Sequence, residues 1–246
     1  MAGTFPSLSS GQVCMFPVQR SLQVRATIHR FADDTQQRYL SAPILNAWTL
    51  SYKGIKAADL ATLQGFFDTQ KGAFDKTWTF PFAGTSYTAM AFDQDDFTYV
   101  ESADAIGRFS LSLKLRQVAK SGSYSTGLTA TFPAIRTGVV TQLPFTTSRR
   151  YKTLRNDLPS GQRYSYALRS TPRHAWTLEF PALTPSEMGT LFNFFAAMYG
   201  PLSQFQFTDP QTGTVYTKCT FAMDALDVRY VSAGVCATRV EIEEFA

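Results

Sequence analysis

The sequence predicts a mainly-β protein: two tandem antiparallel β-sandwich or barrel domains related by internal duplication, each with one amphipathic helix. Three observations predict it. The chain matches itself at an offset near 128 residues, most segments alternate apolar and polar side chains, and each repeat has one stripe at helical spacing.

The repeat is read from residues in order. Trp48-Thr49-Leu50 returns as Trp176-Thr177-Leu178, and Thr62, Leu63, Phe66, Phe67 and Gly72 return as Thr190, Leu191, Phe194, Phe195 and Gly200. That is 8 identities in 25 aligned positions without a gap. Upstream, Phe5-Pro6, Gly11, Val13 and Pro17 return as Phe132-Pro133, Gly138, Val140 and Pro144, and Gln37-Arg38-Tyr39 returns as Gln162-Arg163-Tyr164. Downstream, Tyr87-Thr88, Phe92 and Asp95 return as Tyr216-Thr217, Phe221 and Asp224. Tyr99-Val100 and Arg108 are matched to Tyr230-Val231 and Arg239. The expected domains are 1–117 and 130–246, joined by a Gly/Ser/Thr-rich linker at 118–129.

Each element has a local reason. Leu22, Val24, Ala26 and Ile28 alternate with polar residues, which predicts a half-buried strand. Trp48, Leu50 and Tyr52 do the same, as do Trp176, Leu178 and Phe180. A helix follows in each repeat. In the second, Thr184 can cap, Pro185 suits the first helical position and Glu187 completes a capping box, with Leu183 and Met188 at the staple positions. Met188, Leu191, Phe195 and Met198 form the buried stripe, and Gly200-Pro201 ends the helix. The first repeat has Leu60, Leu63 and Phe67 on its stripe and Gly72 as terminator, but Lys56 stands where Thr184 does and caps poorly. Trp48, Leu63, Phe67, Trp176, Leu191 and Phe195 are the expected repeat core. Strands return at Trp78/Phe80/Phe82 and Phe205/Phe207. Cys219 and Phe221 alternate with Lys218 and Thr220, which are placed outward. The last strands put Phe109, Leu111, Leu113 and Leu115, then Val240 and Ile242, on inward faces. Arg20–Tyr39 and Arg149–Tyr166 are long enough for projecting hairpins.

Composition limits the function classes. In 246 residues, 44% are hydrophobic and 17% charged, with 21 Phe and 11 Tyr, which excludes a mainly disordered, collagen-like or coiled-coil chain. The longest strongly apolar run, Leu191–Met198, is far short of the ~20 residues of a spanning helix. Met1–Gln19 lacks the basic flank and continuous apolar centre of a signal peptide, so cytoplasmic synthesis is expected. Cys14, Cys219 and Cys236 have no C-x-x-C spacing, so neither a disulfide framework nor a zinc site is expected. His29 and His174 lie in no nucleophile motif, and phosphate-loop, dinucleotide, metalloprotease and serine-hydrolase motifs are missing. The expectation is a protein that is not an enzyme and has no metal or other cofactor. Asp93, Asp95 and Asp96 lack the Gly and distal Glu of a calcium loop and read as a solvated cluster.

Charge is the informative signal. Residues 1–117 are near balance at +1, residues 136–174 carry +7, and residues 175–246 carry −5. Arg149, Arg150, Lys152, Arg155, Arg163 and Arg169 form a candidate subunit-interface basic patch. A basic stretch on one copy set against an acidic surface of a neighbour fixes register in a self-assembling ring. A nucleic-acid groove with Tyr151, Tyr164 and Tyr166 as stacking partners, and a merely solvated hairpin, are the competing readings.

The order of an N-terminal strand pair, Gln162-Arg163-Tyr164, Trp176-Thr177-Leu178, a capped helix through Leu191 and Phe194-Phe195 to Gly200, then Phe205-Gln206-Phe207, resembles the distal tail proteins of long-tailed phages, the lambda minor tail protein M group in particular. The resemblance implies a tail-tube-like β fold and a virion location at the distal tail. It implies a homo-oligomeric ring joining the tail tube protein to the baseplate hub protein, next to the tape measure protein. Two repeats per chain favour a pseudo-sixfold trimer over a hexamer. Membrane insertion and specific nucleic-acid binding are not expected. The alternatives are a carbohydrate- or receptor-binding β module, which needs exposed aromatics where Trp48 and Trp176 face a core, and a nucleic-acid-binding β module.

Overall fold

A computed structural model describes residues 3–30, 36–73, 77–102, 105–118, 130–135, 141–151, 153–158, 163–167 and 172–245. Linker positions 119–129, together with Gly138, Val140, Lys152, Gln162 and Arg169, lie outside the described residues. The chain runs β1 (Val18–Arg30), β2 (Gln36–Lys56), α1 (Ala57–Gln70), β3 (Trp78–Phe82), β4 (Thr85–Phe92), β5 (Tyr99–Glu101) and β6 (Arg108–Gln117). It continues with β7 (Ala130–Thr131), β8 (Phe145–Arg150), β9 (Thr153–Asp157), β10 (Arg163–Ala167), β11 (Arg173–Leu183), α2 (Pro185–Ala197), β12 (Phe205–Thr208), β13 (Val215–Phe221), β14 (Ala225–Ser232) and β15 (Val235–Glu244). The fold is mainly β.

Among the described residues, thirteen strands form one sheet, in the order β3-β4-β6-β2-β1-β14-β15-β13-β12-β7, with β11 and β8 branching from β15 and β5 from β6. β9 and β10 form a separate two-stranded ladder. The antiparallel β1–β14 ladder, from Val18↔Tyr230 to Gln23↔Ala225, carries the sheet from the first half of the chain into the second.

The two halves repeat one pattern of pairing. Trp48 opposes Leu115 and Leu50 opposes Leu113 across β2–β6; Trp176 opposes Ile242 and Leu178 opposes Val240 across β11–β15. Phe92 opposes Leu115, and Phe221 opposes Ile242. Val18 opposes Leu50, and Phe145 opposes Leu178. The chain entrance recurs too: Phe5 N–H donates to the Thr79 carbonyl at 2.9 Å, and Phe132 N–H to the Gln206 carbonyl at 2.8 Å. The Phe5 ring then packs on Phe66, Trp78, Phe80 and Phe92, and the Phe132 ring on Phe194, Phe205, Phe207 and Phe221.

Each helix lays its stripe on this core. Leu60, Leu63 and Phe67 of α1, and Met188, Leu191, Phe192 and Phe195 of α2, are buried, as are Met198, Trp48 and Trp176. A fully buried Leu or Phe contributes about 1.5–3 kcal/mol. At α2, Thr184 Oγ1 accepts from Glu187 N–H and the Glu187 carboxylate accepts from Thr184 N–H, closing the capping box. α1 has no side-chain cap at Lys56. Its Asp59 is instead buried against the N-terminal loop, accepting from Ser9 N–H at 2.7 Å and Ser9 Oγ at 3.0 Å. Gly54, at φ +66°, takes the left-handed turn where the β2–β6 register shifts between Tyr52 and Ile55.

Three expectations are corrected. By strand register Tyr99 opposes Leu111 as Val228 opposes Thr238, so Tyr99-Val100 corresponds to Val228-Arg229, two residues before the matched Tyr230-Val231. The loop between β5 and β6 is longer than the Ala233-Gly234 turn between β14 and β15, which accounts for the slip. For the same reason Arg108, which opens β6 opposite Lys56, does not correspond to Arg239, which faces Glu179 in mid-strand. Thr220 is buried rather than outward, because Arg38 from the first half covers it and donates to its Oγ1 at 3.2 Å.

Candidate assembly interface

The described residues of the basic patch fall into two groups, one on β8 and one on the β9–β10 ladder. Arg149 and Arg150 close β8 and are exposed, opposite His174 and Arg173 of β11. Arg155 and Arg163 lie on the β9–β10 hairpin. Arg155 opposes Ser165, two residues from Arg163, so both arginines share one face of the ladder. Tyr164 and Tyr166 take the other face, 49% and 56% exposed. Cations and stacking rings therefore point away from each other. A single-stranded nucleic-acid groove needs both on one surface.

Opposite the end of β8 sits a cluster of titratable groups. His174 Nδ1 lies 2.9 Å from Glu244 Oε2, which also accepts from the His174 main-chain N–H at 3.0 Å. The imidazole stacks over Trp176 and contacts the Tyr216 ring. Trp176 Nε1 donates to Asp209 Oδ2 at 3.1 Å. Burial pushes the Tyr216 phenol up, Asp209 and Glu244 add to the rise, and Arg149 opposes it. The first half has an amide pair at the same register positions: Asn46 Nδ2 donates to Gln117 Oε1 at 3.0 Å. An amide pair has no acid–base capacity, so what the two sites share is a polar tie between strands. His174 thus stands at the strand position that Asn46 takes in the first half, a correspondence that residue identity does not reveal.

The acidic cluster lies at the opposite end of the sheet order. Asp93, Asp95 and Asp96 are exposed between β4 and β5. Asp93 pairs with Arg116 at 3.4 Å, and Asp95 Oδ1 accepts from Ala73 N–H at 3.4 Å. Among the described residues, no group of three or more His, Cys, Asp and Glu side chains could hold a metal ion. No described helix is long and apolar enough to cross a membrane. A groove of about 480 Å³ crosses the β1–β14 seam, and its lining mixes Arg20, Lys114 and Arg229 with Asp93 and Asp227 rather than concentrating one sign.

The seam itself is a built interface. Beyond its ladder, Val24 N–H donates to the Asp224 carbonyl at 2.8 Å, and the Arg20 guanidinium lies 4.2 Å from the Phe192 ring centroid of α2. Phe82 packs edge-on against Tyr230 at 5.0 Å. Gly200, at φ +57°, lets α2 approach so closely that a Cβ there would meet Val24 Cγ2 at 3.0 Å. The distal β1–β2 hairpin then reaches across the second half, where the Arg38 side chain is 7% exposed, 3.6 Å from Glu243, with its guanidinium 5.1 Å from the Phe245 ring.

No protein-family model matches the chain, and a search of curated proteins finds no significantly similar relative.

Proposed function

We propose that the chain is a structural virion protein of a long-tailed phage, a distal tail or baseplate ring subunit that joins the tail tube to the hub and carries out no reaction. The observation that supports this reading is the β1–β14 seam: two halves with the same pairings meet edge to edge in one sheet, a head-to-tail joint that closes into a ring if further copies repeat it around an axis. The likeness of Trp176-Thr177-Leu178, the capped helix and Phe205-Gln206-Phe207 to the distal tail family supplies the biological setting. In this reading the halves descend from one duplicated module. Three chains give six modules around the axis, a match between a sixfold tube and a threefold hub, with six chains as the alternative count. The tail tube protein, the baseplate hub protein and the tape measure protein are the partners, and the virion's distal tail is the location.

Mass photometry with negative-stain electron microscopy tests the assembly. Discrete rings at three or six times the 27.4 kDa chain mass are expected. Cryo-electron microscopy of tail ends then locates the ring. A monomer that binds glycans, or that binds DNA with an affinity falling steeply with salt, overturns the reading.

A further inference from the structure

We propose that a second copy of this chain docks its β5 edge on β8, repeating between chains the seam that joins the halves within one. The inference rests on the ring reading and names the surfaces that build the ring. β8 occupies the place of β1, since Val18 and Phe145 oppose the repeat-equivalent Leu50 and Leu178. β5 occupies the place of β14, since Tyr99 and Val228 oppose the repeat-equivalent Leu111 and Thr238. Within the chain β1 and β14 satisfy each other. Among the described residues, β8 pairs only with β11, and β5 only with β6. One chain thus closes one seam and leaves the two complementary strand edges open. Unpaired edges of this kind are templates for another chain.

The side chains suit that occupant. Carrying the β1–β14 register over places Glu101 of one copy opposite Phe145 of the other, Tyr99 opposite Thr147 and Asp96 opposite Arg150. The exposed Asp95 and Asp96 thereby meet the exposed Arg149 and Arg150, and opposite charges fix register and steer encounter. Tyr99 and Val100 are 46% and 66% exposed on β5, and Tyr151, at the place of Val24, is 66% exposed. The β9–β10 hairpin fits the same scheme. Its first-half counterpart, carrying Arg38, lies across the second half. β9–β10 keeps Arg155, Arg163, Tyr164 and Tyr166 exposed, and its receiving surface is on the neighbour. An isolated two-stranded hairpin is marginal in water, and such docking completes it. The contact joins two different surfaces, so it propagates head to tail and closes when the rotation allows.

The test uses the full chain. Arg150→Asp and Asp96→Arg, each alone, are expected to raise the concentration for half-assembly at least tenfold in mass photometry, and the two combined in one chain to restore it. Tyr99→Cys with Thr147→Cys is expected to give an oxidised ladder of 27.4 kDa multiples, which Tyr99→Cys with Thr146→Cys does not. Unchanged circular dichroism melting shows that the variants fold. Wild-type rings without charge-swap rescue and without the ladder overturn this seam and leave the ring reading standing. A ladder with open filaments supports the seam and overturns ring closure. A wild-type chain that remains monomeric at every concentration overturns both.

Discussion

His174 and Glu244, joined Nδ1 to Oε2 at 2.9 Å, stand where the other half of the chain joins Asn46 to Gln117 at 3.0 Å. Two chemically different pairs thus tie strands that pair in the same way, β2 to β6 in one half and β11 to β15 in the other, and the tie is interchangeable. His174→Asn with Glu244→Gln is expected to retain the fold within about 1 kcal/mol. Glu244→Ala alone leaves His174 without its ring partner and is expected to cost about 1–2 kcal/mol. Urea denaturation of the singles and the double checks this, with a coupling of at least about 0.5 kcal/mol between the sites.

Trp48 and Trp176, alike in strand pairing, are not energetically alike. Trp176 Nε1 donates to buried Asp209, whereas Trp48 Nε1 is buried with no partner among the described residues. Trp176→Phe strands an Asp209 oxygen, and Trp48→Phe removes an unsatisfied donor. The first is expected to cost about 1–2 kcal/mol more than the second, read from urea midpoints at constant slope.

The helix starts give a reciprocal pair of changes. Thr184→Ala removes the α2 capping box and is expected to cost about 1 kcal/mol. Lys56→Thr gives α1 the acceptor it lacks and is expected to gain about 0.5–1 kcal/mol. Thermal melting of both variants against wild type checks the opposite signs.

Stability is expected to fall in alkali. Burial pushes the Cys14 thiol up from 9.0 to about 11 and the Cys219 thiol from 9.0 to about 12, Glu244 adding to the latter, and burial raises Cys236 as well. The folded chain keeps protons that the unfolded chain releases near pH 9. Unfolding therefore becomes more favourable from pH 9 up through about 11 to 12, and these thiols have no such effect below that window. Burial raises the Tyr52 phenol in the same direction. Urea midpoints at pH 7, 9 and 10.5 check the slope, and Cys219→Ala with Cys14→Ala is expected to flatten it.

Local elements were legible in the sequence because their causes are local. The Trp48/Leu50/Tyr52 and Trp176/Leu178/Phe180 alternations, the Thr184-Glu187 box and both helix stripes follow from neighbouring side chains alone. The seam was not legible. Alternation says which face of β1 is buried but not which strand meets its edge, because ladder bonds use main-chain groups that every residue carries. The Asn46–Gln117 and His174–Glu244 equivalence was hidden by its differing residues. The Tyr99/Tyr230 identity misled by two positions, because loop length rather than residue identity sets where β5 and β14 fall on their partner. The basic patch was visible as a charge run. Its division into an arginine face and a tyrosine face on β9–β10 needed the ladder.

The β1–β14 ladder also sets an order of events during translation. Tyr230 follows its partner Val18 by more than 200 residues. At about 5–20 residues per second, a ribosome needs on the order of 10–40 s to cover that distance. Throughout that interval the nascent chain carries an open β1 edge that β14 cannot yet shield, and an unpaired edge is a template for other strands.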